Sequence, residues 1–150
     1  MKRRDQIKLT PAEQEEFLSK APKAALATID KDGYPHVVAM NYLWRDGAIL
    51  MTSYGKAQKV VNIRRNPRVG VMVETGRAYS DLRGVLIRGE CEIIEDVATV
   101  NATMNAIRNR YSGGGQAENT ALTTAPKRVV LKVIPQKIAS WDHRKLGGRY

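Results

Sequence analysis

The 150-residue sequence has only one cysteine, two histidines and no apolar run long enough to cross a membrane. Cys91 has no cysteine to pair with, and its setting RGECEII alternates as a strand does. We therefore expect a reduced thiol in a cytoplasmic protein rather than a catalytic thiol. His36 and His143 lie far apart without carboxylates at ligand spacing, which predicts no metal site. The basic N-terminal residues lead into acidic ones and not into the apolar segment of a signal peptide.

The sequence also lacks the short motifs that mark a catalytic nucleophile or a nucleotide loop. It contains no Gly-x-Ser-x-Gly elbow, no Ser-His-Asp arrangement and no GxxxxGK[ST] phosphate loop. If the protein is an enzyme, its chemistry is therefore expected to come from a cofactor, and no residue is singled out as catalytic.

Positive charge is abundant and unevenly distributed. The chain has 25 Lys and Arg against 15 Asp and Glu, and the excess falls in three segments, 1–10, 56–68 and 127–150. Such segregation predicts a concentrated anion-binding surface, although a solvated basic surface would have the same composition. Nucleic acid ranks second as a partner, because aromatic residues make up only 6% of the chain and no nucleic-acid-binding motif is present.

The apolar pattern predicts one mainly β domain over residues 1–150, with a basic arm over 1–9. Thr10, Pro11 and Glu13 are typical of the capping box that begins a helix. Asp-Gly pairs separate β-branched segments, as in hairpins. The predicted strands cover 24–30, 35–44, 48–54, 68–75, 84–96 and 127–141, with further helices over 56–65 and 96–111 and a flexible loop over 112–126. Six closely spaced strands with two to three flanking helices predict a closed or partly open barrel.

The segment TSYGKAQKVVNIRRNPRVGV predicts a phosphate site. A strand ends at Thr52 and Ser53, and a helix begins after Gly55. Unpaired N–H groups at a helix start, small hydroxyls and the nearby Lys56 and Lys59 are the groups that bind phosphate.

The order of these segments resembles the pyridoxamine-phosphate-oxidase-like split barrels, and most closely their actinobacterial deazaflavin (coenzyme F420) branch. ALATIDKDGYPHVVAMNYLW is similar to the opening hairpin of that family, and SYGKAQKVVNIRRNPRV to its phosphate-binding strand and helix. LRGVLIRGECEII is similar to the long fifth strand, and KRVVLKVIPQKIASWDHRKLGG to the last strand with its Trp and basic residues. The resemblance implies a six-stranded antiparallel split β-barrel that forms a homodimer, with cofactor sites between the subunits.

The resemblance also implies a set of cofactor-binding residues. The tricyclic ring is expected to contact His36, Val38, Ala39, Met40 and Asn41. The phosphate is expected at Thr52, Ser53, Lys56 and Lys59, supported by Gln58, Asn62 and Arg65. From the other subunit, the site is expected to receive Trp141 and Arg144, with Lys145 as an additional candidate.

Coenzyme F420 is favoured over FMN because its polyglutamate tail adds negative charge for the three basic segments; haem or another ligand is a remaining alternative. The resemblance implies hydride transfer from ring C5 of the reduced deazaflavin to a small electron-poor acceptor. Tyr42, Tyr79, His36 or bound solvent could supply a proton. The alternative from another class is a non-catalytic module that binds a cofactor or nucleic acid.

Overall fold

The computed structural model describes residues 1–112 and 125–149. The α-helices are α1 (Arg3–Gln6), α2 (Pro11–Lys20), α3 (Gln58–Arg65) and α4 (Val97–Tyr111). The strands are β1 (Ala24–Ile29), β2 (Pro35–Met40), β3 (Leu43–Arg45), β4 (Ala48–Tyr54), β5 (Arg68–Thr75), β6 (Arg83–Ile94) and β7 (Arg128–Asp142). Single 3₁₀ turns cover Tyr79–Asp81, Ala125–Lys127 and His143–Leu146.

All strand pairs are antiparallel, and the sheet has the order β2-β1-β5-β6-β7-β4-β3. Its two edge strands, β2 and β3, are joined by Asn41 and Tyr42 alone. The three Cα–Cα steps from Met40 to Leu43 span at most about 11 Å, so the sheet must curl until its edges approach each other. This curled half-barrel confirms the predicted mainly β, antiparallel split-barrel class.

The predicted count of six strands is wrong, because the segment expected as one strand over 35–44 forms two. β2 pairs with β1 and β3 pairs with β4, so the chain must leave one edge of the sheet and enter the other. The side chain of Tyr42 lies fully buried at this break, and its hydroxyl donates to the carbonyl of Leu18 at 2.6 Å. Burial raises the pKa of Tyr42 to about 12.

The hydrophobic core lies inside the curled sheet and is closed at one end by α2. Strand β5 shows the expected alternation, since Val69, Val71 and Val73 point inward and are buried. Helix α2 adds Phe17 and Leu18 to this core. It begins with the predicted capping box: Thr10 N–H donates to Glu13 at 2.7 Å, and Glu13 N–H donates to Thr10 Oγ1 at 3.2 Å.

Helix α4 covers the outer face of β4 and β7, where Val100 and Met104 pack on Val130. Arg110, near its last turn, donates to the carbonyls of Ser19, Ala21 and Tyr42 and so ties α4 to the end of α2 and to the break between β2 and β3. Of the loop predicted over 112–126, residues 113–124 lie outside the described residues.

The basic arm predicted over 1–9 lies against the end of β7. Asp142 N–H donates to the Ile7 carbonyl at 2.7 Å, and Leu9 N–H donates to Ser140 Oγ at 3.1 Å. The N-terminal segment therefore packs beside the C-terminal turn. Within the described residues, no helix is long and apolar enough to cross a membrane.

Candidate cofactor site

A cluster of four polar side chains joins α3 to the first hairpin. Asn62 is fully buried, donates to Thr28 Oγ1 at 3.0 Å and accepts from Gln58 Nε2 at 2.7 Å. Thr28 is the direct cross-strand partner of His36, so both side chains lie on the same face of the sheet. We call Thr28, His36, Gln58 and Asn62 the polar cluster; through Thr28, it places His36 on the sheet face that Asn62 of α3 contacts.

The imidazole of His36 has one nitrogen that the protein does not use. His36 Nδ1 is buried and has no hydrogen-bond partner among the described residues. A buried polar atom without a partner costs about 1–3 kcal/mol. Such an atom is suited to a ligand that supplies the missing hydrogen bond.

The start of α3 is positively charged and has no side-chain cap. Ala57, at the N-cap, makes no side-chain hydrogen bond, and the first turn contains no acidic residue. The helix begins at Gln58 and not at Lys56 as predicted, because Ala57 has an extended backbone with ψ 148°. Lys56 lies in the preceding turn and Lys59 in the first helical turn, and neither forms an ion pair within the described residues.

The expected ring contacts on β2 divide between its two faces. His36, Val38 and Met40 point toward the barrel and are half-buried, whereas Ala39 is exposed on the outside. Asn41, just after the strand, accepts from Lys23 Nζ at 2.8 Å. Because β2 is an edge strand, its backbone groups on the side away from β1 have no strand partner in the described part of the chain. A flat ring along this edge would meet backbone groups and the inward side chains, not all five side chains.

The two hydroxyls predicted for the phosphate do not point the same way. Thr52 and Ser53 are neighbours in β4, so their side chains lie on opposite faces. Ser53 is 4% exposed and donates to the Tyr54 carbonyl at 3.2 Å, while Thr52 pairs with Val130 on the face covered by α4. The structure thus does not bring both hydroxyls to one point.

The three residues expected to support the phosphate have clear structural contacts. Gln58 and Asn62 belong to the polar cluster. Arg65 donates to the Ile29 carbonyl at the end of β1, at 2.7 Å. These contacts fix the orientation of α3 against β1 and thereby the position of Lys59.

Trp141 and Arg144 lie at the other end of the sheet from α3. The Trp141 ring covers Gly84, where an added Cβ would lie 2.2 Å from Trp141 Cζ2, and its indole N–H donates to Glu74 at 3.1 Å. Arg144 donates to both carboxylate oxygens of Asp142, at 2.9 and 2.7 Å. The hydrogen bond from Arg144 lowers the pKa of Asp142 below its ordinary value.

Within one chain these two residues are far from the start of α3. Val130 pairs with Thr52, and Trp141 lies eleven residues further along the same strand. At about 3.3 Å per residue this is roughly 30 Å or more along β7. A site that contains both Lys59 and Trp141 would need a second copy of the chain.

An apolar row crosses the outer face of five strands. Its members are direct cross-strand partners, from β2 through β1, β5 and β6 to β7: Ala39, Ala25, Met72, Leu86 and Ala139. Met72 and Leu86 are 42% and 40% exposed.

A second cationic region, which we call the cationic pocket, was not predicted as a unit. It lies near the start of β7, between the ends of β4, β6 and α3. Its cavity of about 850 Å³ is lined by Tyr54, Lys56, Arg64, Lys127 and Arg128, with Glu95. Lys127 and Arg128 belong to the third basic segment of the sequence, 127–150. Their position beside Tyr54 depends on the pairing of β4 with β7, which joins residues far apart in the sequence.

Of the proton donors suggested above, Tyr42 is excluded. Its hydroxyl is fully buried and already donates to Leu18, and its raised pKa opposes ionisation. Tyr79 is 60% exposed, and its carbonyl lies 2.8 Å from His143 Nδ1. Among the described residues, no group of three His, Cys, Asp or Glu side chains could hold a metal ion.

Comparisons with known proteins agree with this fold. A family model described as pyridoxamine 5'-phosphate oxidase matches residues 10–142. The solved structure of conserved hypothetical protein Rv2991 from Mycobacterium tuberculosis is similar at 36% identity and a TM-score of 0.90, over 100% of this chain and 95% of that one. An F420 reductase is similar at 30% identity and a TM-score of 0.69, over 83% of this chain and 94% of that one.

A more distant structure, an FAD-binding protein from Mesorhizobium loti, shares 21% identity with a TM-score of 0.66, over 88% of this chain and 94% of that one, and supports the fold alone. A search of curated proteins gives no match. The family model covers most of the chain, and the Mycobacterium tuberculosis structure covers all of it. The chain therefore belongs to the pyridoxamine 5'-phosphate oxidase family.

Proposed function

We propose that this protein is an oxidoreductase that uses coenzyme F420 to reduce a small electron-poor acceptor. Two observations carry the proposal: His36 Nδ1 is buried and unpartnered on the sheet face that α3 contacts through Asn62, and within the described residues Lys56 and Lys59 at the start of α3 form no ion pair. A phosphate there would be held by two ammonium groups and by the N–H groups of the first helical turn.

Two features favour the deazaflavin over FMN. One phosphate needs about two cations, whereas the chain carries a formal net charge of +10, which suits a cofactor with an anionic tail. The chain is also similar at 30% identity to a protein described as an F420 reductase. FMN would use the same start of α3 with the same two lysines, so it is the alternative cofactor.

The proposal includes a homodimer with the cofactor between subunits. The row from Ala39 to Ala139 gives an apolar surface across five strands that a second copy could cover. Because Trp141 and Arg144 lie far from α3 of their own chain, a partner chain is needed to bring them to the cofactor. Their predicted role in closing the site thus rests on the dimer.

The chain's own part in the reaction is binding, orientation and exclusion of water. When bound, reduced F420 supplies the hydride. The exposed edge of β2 orients the ring, with Val38 and Met40 as its apolar contacts. His36 is the protonatable side chain of the polar cluster and can hold a proton at Nδ1 or Nε2.

The direct test is titration of the purified protein with F420 and, separately, with FMN, followed by cofactor fluorescence. We expect F420 to bind at micromolar concentration or below, and FMN more weakly. The F420 complex is then supplied with reduced cofactor and a conjugated enone, and loss of reduced F420 is followed by absorbance. Tighter binding of FMN would move the protein to the flavin branch. Binding without turnover of any acceptor would support a non-catalytic module, and binding of neither cofactor would overturn the proposal.

A further inference from the structure

The cationic pocket lies on the opposite flank of α3 from the polar cluster. Asn62 points to Thr28 of β1, whereas Arg64, two residues and about 200° further round the helix, points to Glu95 after β6. Lys56 lies at the boundary between the two regions. The pocket is therefore a second surface and not an extension of the contacts that hold α3 on the hairpin.

Among the described residues, acids do not balance the cations that line this pocket. Four cationic side chains line it: Lys56, Arg64, Lys127 and Arg128. The one acid in its lining, Glu95, accepts from Arg64 at 2.6 Å. For the described lining residues this leaves a net charge of three positive units around a cavity of about 850 Å³, with Lys56 shared with the proposed cofactor phosphate site. Like charges held this close repel one another, so the arrangement favours an anion with several negative charges.

The pocket is built on paired strands rather than on free side chains. Tyr54 and Arg128 are cross-strand partners in β4 and β7, and Gly55 N–H donates to the Lys127 carbonyl at 3.0 Å. The Arg128 guanidinium lies 4.1 Å from the centre of the Tyr54 ring, a cation–π contact that fixes its plane.

Arg128 also keeps an unused donor. Its Nε is buried and has no hydrogen-bond partner among the described residues. A guanidinium with a fixed plane is suited to bidentate binding of phosphate oxygens. The aromatic face of Tyr54, which is 50% exposed, lies next to it.

We propose that this pocket binds a diphosphate group that is not part of the redox cofactor. A terminal phosphate carries about −1.5 to −2 near neutral pH, so a diphosphate matches the net charge better than one phosphate or one carboxylate does. The cavity also has the size of pockets that enclose small organic ligands. The same group could come from inorganic pyrophosphate or from a nucleoside diphosphate.

The test is calorimetric titration of the full-length protein with pyrophosphate and with ADP. We expect binding at micromolar concentration for at least one probe. Binding of pyrophosphate as tight as that of ADP would identify an inorganic anion. Binding of ADP at least tenfold tighter would identify a nucleoside diphosphate. Failure of both probes to bind at millimolar concentration would overturn the proposal.

Variants assign the binding to this pocket. Lys127→Gln with Arg128→Gln should weaken the better probe at least tenfold. Lys127→Gln alone alters an exposed side chain, so it should weaken the probe without affecting folding even if the double variant is unstable. Lys20→Gln, an exposed lysine near the other end of the sheet, is the control and should change nothing. Unchanged affinity in both Lys127 variants would overturn the proposal, as would loss of probe binding when F420 is saturating.

Discussion

The cations at the two ends of the sheet have different surroundings. Near the chain termini and α2, lysines and an arginine pair with acids: Lys8 with Asp5, Lys20 with Glu16, Arg144 with Asp142 and Lys145 with Glu13. Around α3 and the start of β7, the described residues contain one such pair, Arg64 with Glu95. The comparison indicates that the protein uses its paired cations for its own fold; under the proposal, the unpaired ones around α3 bind anions.

This comparison also changes the interpretation of the charge pattern. Three basic segments of the sequence look alike, but the first and the end of the third lie against each other, where Lys145 also donates to the Lys8 carbonyl at 2.7 Å. Exposed ion pairs contribute only about 0–1 kcal/mol each, so their main effect is to fix the position of the termini. At the termini these ion pairs and hydrogen bonds hold Lys8, Arg144 and Lys145, whereas Lys56 and Lys59 at α3 form no ion pair within the described residues.

The largest loss of stability is expected for Arg110, whose guanidinium donates to three backbone carbonyls of the fold. Replacement of Arg110 by Met leaves the carbonyls of Ser19, Ala21 and Tyr42 without their donor. We expect a loss of about 3 kcal/mol in the free energy of unfolding, because hydrogen bonds to charged groups contribute about 1.5–3 kcal/mol each and partial rehydration offsets some of it. Urea unfolding measures this. The control is Arg68→Met at the exposed start of β5, and equal midpoints for the two variants would contradict the prediction.

A smaller loss is expected in the polar cluster. Asn62→Leu keeps the size of the side chain but removes the partner of Thr28 and Gln58, which should cost about 2 kcal/mol. Gln58→Leu, at an exposed position, should cost clearly less. Thermal unfolding of both variants checks the order. If Gln58→Leu is the more destabilising change, Asn62 is not the residue that attaches α3 to β1.

The ion pair of Asp142 with Arg144 predicts that the free energy of unfolding falls at acidic pH. Since the hydrogen bond from Arg144 lowers the folded-state pKa of Asp142 below 3.8, the unfolded chain takes up the proton first as the pH falls. Stability from this pair is therefore present above the unfolded-state pKa and is lost as the pH falls through the folded-state value. Asp142→Asn should flatten the plot of unfolding free energy against pH below about pH 5. Asp32→Asn, in the exposed turn between β1 and β2, is the control and should keep the wild-type slope of unfolding free energy against pH.

The smallest effect on stability is expected for the unpaired lysines. The Lys56→Ala/Lys59→Ala variant loses no ion pair among the described residues, so its unfolding free energy should stay within about 0.5 kcal/mol of wild type. Urea unfolding at low salt, where charge effects are largest, is the measurement. A loss above about 1 kcal/mol would mean that the fold itself uses these charges.

Local signals predicted much of the fold. The capping box of α2, the hairpin after β1 and the alternation of β5 each depend on residues close together in the sequence. The break at Asn41 and Tyr42 could not be predicted in this way. Apolar residues continue through it, and only the pairing of β2 and β3 with different strands separates them.

The same limit applies to the candidate site. Lys56 and Lys59 could be assigned to a helix start from local sequence, and the opposite faces of Thr52 and Ser53 follow from the two-residue period of a strand. The unpartnered nitrogen of His36 and the stacking of Arg128 on Tyr54 depend on contacts between distant segments. They became visible only with the register of the sheet.

The central claim is that F420 binds at the unpaired lysines near the start of α3. The most direct test removes two lysines from each end of the sheet and measures F420 affinity at one salt concentration. The Lys56→Ala/Lys59→Ala and Lys8→Ala/Lys20→Ala variants each lose two lysines, unpaired in the first case and ion-paired in the second. We predict at least a tenfold weaker Kd for the first variant and less than a twofold change for the second. Equal losses in both would contradict the account, because they would show that F420 responds to net charge and not to the site at α3.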